Sequence, residues 1–90
     1  MKYCVYILAS PSGVLYIGMS GHFDRRLAEH RNREYPQSFT ARYHCHRLMH
    51  LEWFTEVKDA IAREKELKGW RREKKVALIE RNNPAWLDLA

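Results

Sequence analysis

Two short runs of aromatic and β-branched residues open the chain, Tyr3 to Ala9 and Val14 to Met19, with Ser10-Pro11-Ser12-Gly13 between them. Apolar β-formers bounded by turn residues predict a β-hairpin. Tyr6 then lies on the first strand and Tyr16 on the second. Side chains alternate along a strand, so an even-length loop turns the two phenols to opposite faces. A site shared by both requires an odd-length loop or a bulge.

The pattern then becomes helical. Ser20-Gly21 precedes His22-Phe23-Asp24, and an acid in the first turn suits a helix start. This helix is expected to run to about Arg33, with Phe23 and Leu27 on one stripe and Arg26 and His30 on the neighbouring one. Residues 32–43 are polar and aromatic, contain Pro36 and read as a loop. Arg47 to Phe54 is β-prone and reads as a third strand. Thr55 can cap a following helix whose inward positions are Val57, Ala60, Ile61 and Leu67, with Gly69 as its end. Glu64 falls within that apolar stripe. Arg72 to Arg81 reads as another helix, with Val76 and Ile79 inward. Asn83-Pro84 has the order of an N-cap and N1 proline and starts a short turn that buries Trp86. The element order β-β-α-β-α-α implies an α+β fold, a small three-stranded antiparallel sheet flanked by helices.

Ninety residues suffice for one domain spanning 1–90 with a single core. No apolar run is long enough to cross a bilayer, and the first apolar stretch is too short for a signal peptide. A cytoplasmic location without membrane association is therefore expected, with Cys4 and Cys45 as reduced thiols. Sixteen Lys+Arg against eleven Asp+Glu leave a net charge of +5. Such a balance suits a phosphate-rich partner as well as a merely soluble basic domain. Much of the positive charge lies on the first helix, including Arg31, and between Lys58 and Arg81, including Lys65, Lys68, Arg71 and Arg72.

Tyr6, Tyr16, Arg26, His30 and Glu64 bring phenols, a guanidinium, an imidazole and a carboxylate. These are the groups needed to cut a phosphodiester with one metal ion. A hard cation such as Mg²⁺ can be held by a single carboxylate together with waters and phosphate oxygens. Glu64 suits that role because an inward carboxylate needs a reason for its burial. An arginine can grip two phosphate oxygens, but spacing alone does not rank Arg26 above Arg25. His44-Cys45-His46 with His50 offers four zinc-type donors. Neighbours on a strand face opposite ways, however, and no paired Cys-x2-Cys knuckle is present.

Tyr16-Ile17-Gly18, Arg25-Arg26-Leu27-x-Glu29-His30-Arg31, Arg63-Glu64-x3-Lys68 and Asn83-Pro84-x-Trp86 together resemble the GIY-YIG nuclease superfamily. The resemblance covers nearly the whole chain and is greatest to its small stand-alone bacterial members. Cys4-Val5 stands where the first signature has Gly-Ile, and only Tyr6 is kept. Met19 stands where repair-incision members often carry lysine, and His30 where they carry tyrosine. The resemblance implies a metal-dependent endonuclease acting on DNA in repair or recombination, with RNA left open. It places Mg²⁺ or Mn²⁺ on Glu64 and sets Arg26, His30, Tyr6 and Tyr16 around the scissile phosphate. Tyr43, within Thr40-x2-Tyr43, and Asn83 become supporting residues. A catalytically weak nucleic-acid-binding module using the same cleft is the alternative, and an interaction domain for an acidic protein is a third. Oligomeric state is not implied.

Overall fold

The computed structural model describes residues 2–32, 35 and 37–90. Three strands, β1 (Tyr3–Ala9), β2 (Leu15–Ser20) and β3 (Arg47–Phe54), form an antiparallel sheet in the order β2-β1-β3. The central strand is the most apolar, and Cys4 to Ala9 are at most 1% exposed. Helix α1 (Phe23–Arg31) and the short helix α2 (Phe39–Tyr43) belong to the face that carries Cys4, Tyr6 and Leu8. Helices α3 (Val57–Gly69) and α4 (Arg72–Asn82) cover the face that carries Val5, Ile7 and Ala9. The result is the expected α+β architecture, with α2 as an additional turn of helix inside the second connection.

Alternation along β1 divides the core in two. Leu27 from α1, Cys45 and Leu48 pack with Tyr6 and Leu8. Ala60 and Leu67 from α3, Leu78 and Ile79 from α4, and Met49 pack with Val5 and Ile7. Full burial of Leu67 or Ile79 contributes about 1.5–3 kcal/mol each. A register shift sets Ile7 opposite His50 but Leu8 opposite Leu48. Met49 is the extra residue of this bulge; it enters the core with Val5 and Ile7, while Leu48 enters the core with Tyr6 and Leu8.

Several local expectations change. Strand β2 begins at Leu15, and α1 ends at Arg31; the expected helix end at Arg33, like Pro36, lies outside the described residues. Glu56, not Thr55, occupies the N-cap of α3 and makes no side-chain cap. Val57 and Ile61 are exposed, so the buried line of α3 is Ala60 and Leu67 with Glu64 between them. Asn83 caps the end of α4 and does not start a helix. Its amide donates to Met49 O and Leu87 O and its oxygen accepts from Leu87 N (3.0 Å), which folds the tail back. Trp86 is half-buried, at positive φ, and donates to Glu80.

Candidate active site

The hairpin connection spans residues 10–14 and pairs Leu8 with Tyr16 and Tyr6 with Gly18. Its odd length puts both phenols on one face, as a shared site requires. Gly18 makes the arrangement possible. A Cβ built there would lie 2.6 Å from Tyr6 Oη and 2.9 Å from Tyr16 Cε2, so the Tyr6 ring occupies space that any other residue at 18 would fill. The two tyrosine rings are 6.4 Å apart, and Phe23 from α1 packs on Tyr6 at 5.5 Å. Met19 faces the other way and packs against the α3–α4 core.

Helix α1 delivers the polar groups. Phe23 and Leu27 turn toward the sheet, which brings Arg26 and His30 over the tyrosines. His30 is buried. Its Nε2 lies 3.1 Å from Tyr6 Oη, and its Nδ1 lies 2.8 Å from Thr40 Oγ1 on α2. Arg26 donates to Glu29 Oε1 (3.1 Å), and its charge lies near the Tyr6 hydroxyl. Arg25, 72% exposed, makes a long ion pair with Glu29. Burial pushes the Tyr6 phenol far above its ordinary range; the neighbouring Tyr16 adds to this and Arg26 opposes it. Burial also lowers the His30 imidazole, helped by the Arg26 charge and opposed by Glu29. The imidazole is therefore neutral near pH 7.

A hollow of about 270 Å³ opens onto these groups, lined by Tyr16, Arg26, Glu29, His30 and Thr40 among others. A second, of about 240 Å³, runs round the open edge of β2 and shares Tyr16 and Phe39 with the first. Lys68 and Lys75 line its far end. Glu64 approaches from there. It is half-buried on α3, which packs along β2, and its Oε2 is 3.3 Å from Lys68 Nζ. Tyr6, Tyr16, Arg26 and His30 thus form one contiguous cluster, while Glu64, on the other layer of the fold, is linked to the groove through its ion pair with Lys68.

The remaining expected residues divide. Lys68 lines the groove. Lys65 and Arg71 are exposed. Arg72 is tied to the hairpin turn, donating to Gly13 O at 2.6 Å. Arg31 is held by Asp88 through a two-pronged ion pair of 2.8 and 2.9 Å and by His46 O. Tyr43 is 45% exposed and stacks on Phe39, which in turn meets Tyr16. Asn83 supports the tail beside Met49 and not the tyrosines. Cys45 is buried, with its thiol toward Val14 O, and no cluster of three or more metal-type donors exists among the described residues. Two residues of the site have only faint signals in the sequence: Glu29 through its i, i+3 spacing from Arg26, and Thr40 through Thr40-x2-Tyr43.

The donor set fits one kind of metal binding. A half-buried carboxylate beside a groove lysine, without further acidic, histidine or cysteine ligands clustered round it among the described residues, matches a Mg²⁺ or Mn²⁺ ion completed by water and substrate oxygens. Glu64 would hold it. When bound, such an ion polarises a phosphoryl oxygen and neutralises developing charge.

The family model described as the GIY-YIG catalytic domain matches residues 2–77. A UPF0213 protein of Syntrophus aciditrophicus (strain SB) is 32% identical over 81 residues, covering 90% of this chain and 93% of that protein. A UPF0213 protein of Haloquadratum walsbyi is 36% identical over 76 residues, covering 84% of each. The solution NMR structure of a UPF0213 protein from Bacillus halodurans superposes with a TM-score of 0.63 at 27% identity, over 98% of this chain and 93% of that one. This small domain, with its paired tyrosines on one face of a three-stranded sheet, belongs to the GIY-YIG nuclease family.

Proposed function

We propose that this domain is a divalent-metal-dependent endonuclease that hydrolyses DNA phosphodiester bonds. The observation that carries the reading is the convergence of Tyr16, Arg26 and His30 on one hollow at the open edge of β2, with Tyr6 buried directly behind against His30. Arg26 lines the hollow and would bind the scissile phosphate with its permanently charged guanidinium. Neutral His30, bonded to Tyr6, is placed to move a proton at the Tyr6 oxygen. Tyr16 lines the hollow where a water or phosphate oxygen would sit. The groove toward Lys68 and Lys75 offers cations along the path of a nucleic-acid strand. Beyond Phe23, an open cavity lined by Trp53, Tyr3, Lys2 and Arg25 suits the next nucleotide, with aromatic faces for a base and cations for its phosphate.

The test is nicking of duplex, flapped and branched DNA with Mg²⁺ or Mn²⁺ and with chelator. The Lys68–Glu64 ion pair favours a second reading, a binding-only module in which lysine neutralises the carboxylate. Metal-dependent strand cleavage distinguishes the two, because a binding module shifts the substrate without cutting it.

A further inference from the structure

We propose that Thr40 is a positioning residue that fixes His30 as the Nδ1–H tautomer, leaving Nε2 as the acceptor of the Tyr6 proton. The assignment follows from the chemistry of the two buried contacts of the ring. A phenol O–H is a far stronger acid than the N–H of a neutral imidazole, and an imidazole nitrogen is a better base than a phenol oxygen, so across 3.1 Å the Tyr6 hydroxyl donates to His30 Nε2. The opposite tautomer would set the weaker donor against the weaker acceptor and leave the buried hydroxyl proton without that partner. With its lone pair at Nε2, the neutral imidazole carries its proton on Nδ1, which donates to Thr40 Oγ1 at 2.8 Å. Thr40 is 2% exposed. Its oxygen also lies 3.3 Å from Ser38 Oγ, the residue whose side chain caps α2.

The short helix α2 therefore has a purpose that its length conceals. It presents one hydroxyl to the back of the imidazole, so that the front faces the phenol. The consequence for turnover rests on the nuclease reading. As the attacking water loses a proton to the Tyr6 oxygen, the Tyr6 proton passes to Nε2, and the hydroxide formed adds to phosphorus. When the bond to the leaving oxygen breaks, that oxygen takes a proton from solvent, and the imidazolium returns its own proton to solvent. No oxidant or further reactant is needed.

Imidazole ¹⁵N spectra of the free domain at neutral pH test the tautomer directly and do not depend on any activity. The expected result is a protonated Nδ1 and an unprotonated Nε2 at His30. A protonated Nε2 in the wild-type domain would overturn the proposal even if the protein cuts DNA. Thr40→Val should shift His30 toward Nε2–H, and Thr40→Ser should restore the wild-type spectrum. A Thr40→Val domain that stays folded and keeps the wild-type spectrum would remove Thr40 from the role. If Thr40→Val does not fold, Thr40→Ala replaces it in the same comparison. In a cleaving preparation, Thr40→Val should lower kcat about 10²-fold, the lower end of general acid–base assistance, with little change in DNA binding. Loss in binding with kcat intact would mark a merely structural role. If no preparation cleaves DNA, the nuclease reading fails and the tautomer assignment still stands or falls on the spectra.

Discussion

One methyl group at residue 18 is enough to disturb both phenols. An added Cβ meets Tyr6 Oη, Tyr6 Cζ and Tyr16 Cε2 below 3.0 Å, and the Tyr6 ring is packed against Phe23 and cannot swing away freely. Gly18→Ala should cost about 1–3 kcal/mol of stability, the usual range for overpacking, and depress cleavage beyond what the stability loss explains; unaltered activity would mean the ring can move. Arg26→Ala should lower turnover far more than Arg25→Ala, since Arg26 lines the hollow and Arg25 is mostly in solvent. His30 yields a pH prediction with a definite sign. Its folded-state imidazole is lowered from the ordinary 6.5, so the unfolded chain takes up the proton first on acidification. Stability linked to this group is complete above about pH 6.5 and is lost as pH falls through the folded value. Urea midpoints of the wild type should therefore drop more steeply below pH 6.5 than those of His30→Gln; parallel curves would contradict a buried neutral imidazole.

Elements with a strong hydrophobic period were legible in the sequence, and those set by capping were not. Strands β1 and β3 lie where alternation and β-propensity put them, and the odd-length hairpin loop follows from requiring the two tyrosines to share a site. Helix α2 carries no apolar period. It exists because Ser38 accepts from Ala41 N and His44 closes the turn in the left-handed region at φ 59°, and that is why Thr40 was harder to read than Tyr43. On α3 the apolar composition of Val57 and Ile61 misleads. Burial follows the line Ala60–Glu64–Leu67, which is the line facing the sheet. Arg31 shows the limit of reading charge as binding. A basic residue on the first helix suggests a phosphate contact, yet its partner is Asp88, distant in sequence, whose carboxylate also accepts from Leu48 N. Asp88→Ala should lower stability by about 1 kcal/mol through the lost tail bonds. Arg31→Ala should match it within a few tenths and leave the salt dependence of DNA binding unchanged. A smaller salt slope for Arg31→Ala would restore it as a phosphate contact.

The whole molecule joins two layers at one edge. The phenols, imidazole and guanidinium sit on the α1–α2 side, the carboxylate comes from the α3–α4 side, and the open edge of β2 lies between them. The family pattern in the sequence named these five residues, but no local pattern could show that Glu64 approaches from the opposite layer. If the proposed DNA path follows Lys68 and Lys75 along the groove, binding is phosphate-led, with each neutralised phosphate releasing about 0.9 counterion on duplex DNA. Affinity should fall steeply with salt and vary little among unrelated duplexes, and Lys75→Ala should reduce the slope; a flat salt dependence would argue against the groove. The most direct measurement is strand cleavage by wild type, Glu64→Ala and Glu66→Ala with Mg²⁺ or Mn²⁺, each variant first shown to be folded. Glu66 is 54% exposed and paired with Arg63, which makes it the control. Metal-dependent cleavage by wild type and Glu66→Ala, abolished in Glu64→Ala while DNA binding persists, is the expected result. Equal cleavage by Glu64→Ala and wild type, or cleavage indifferent to metal, would contradict it.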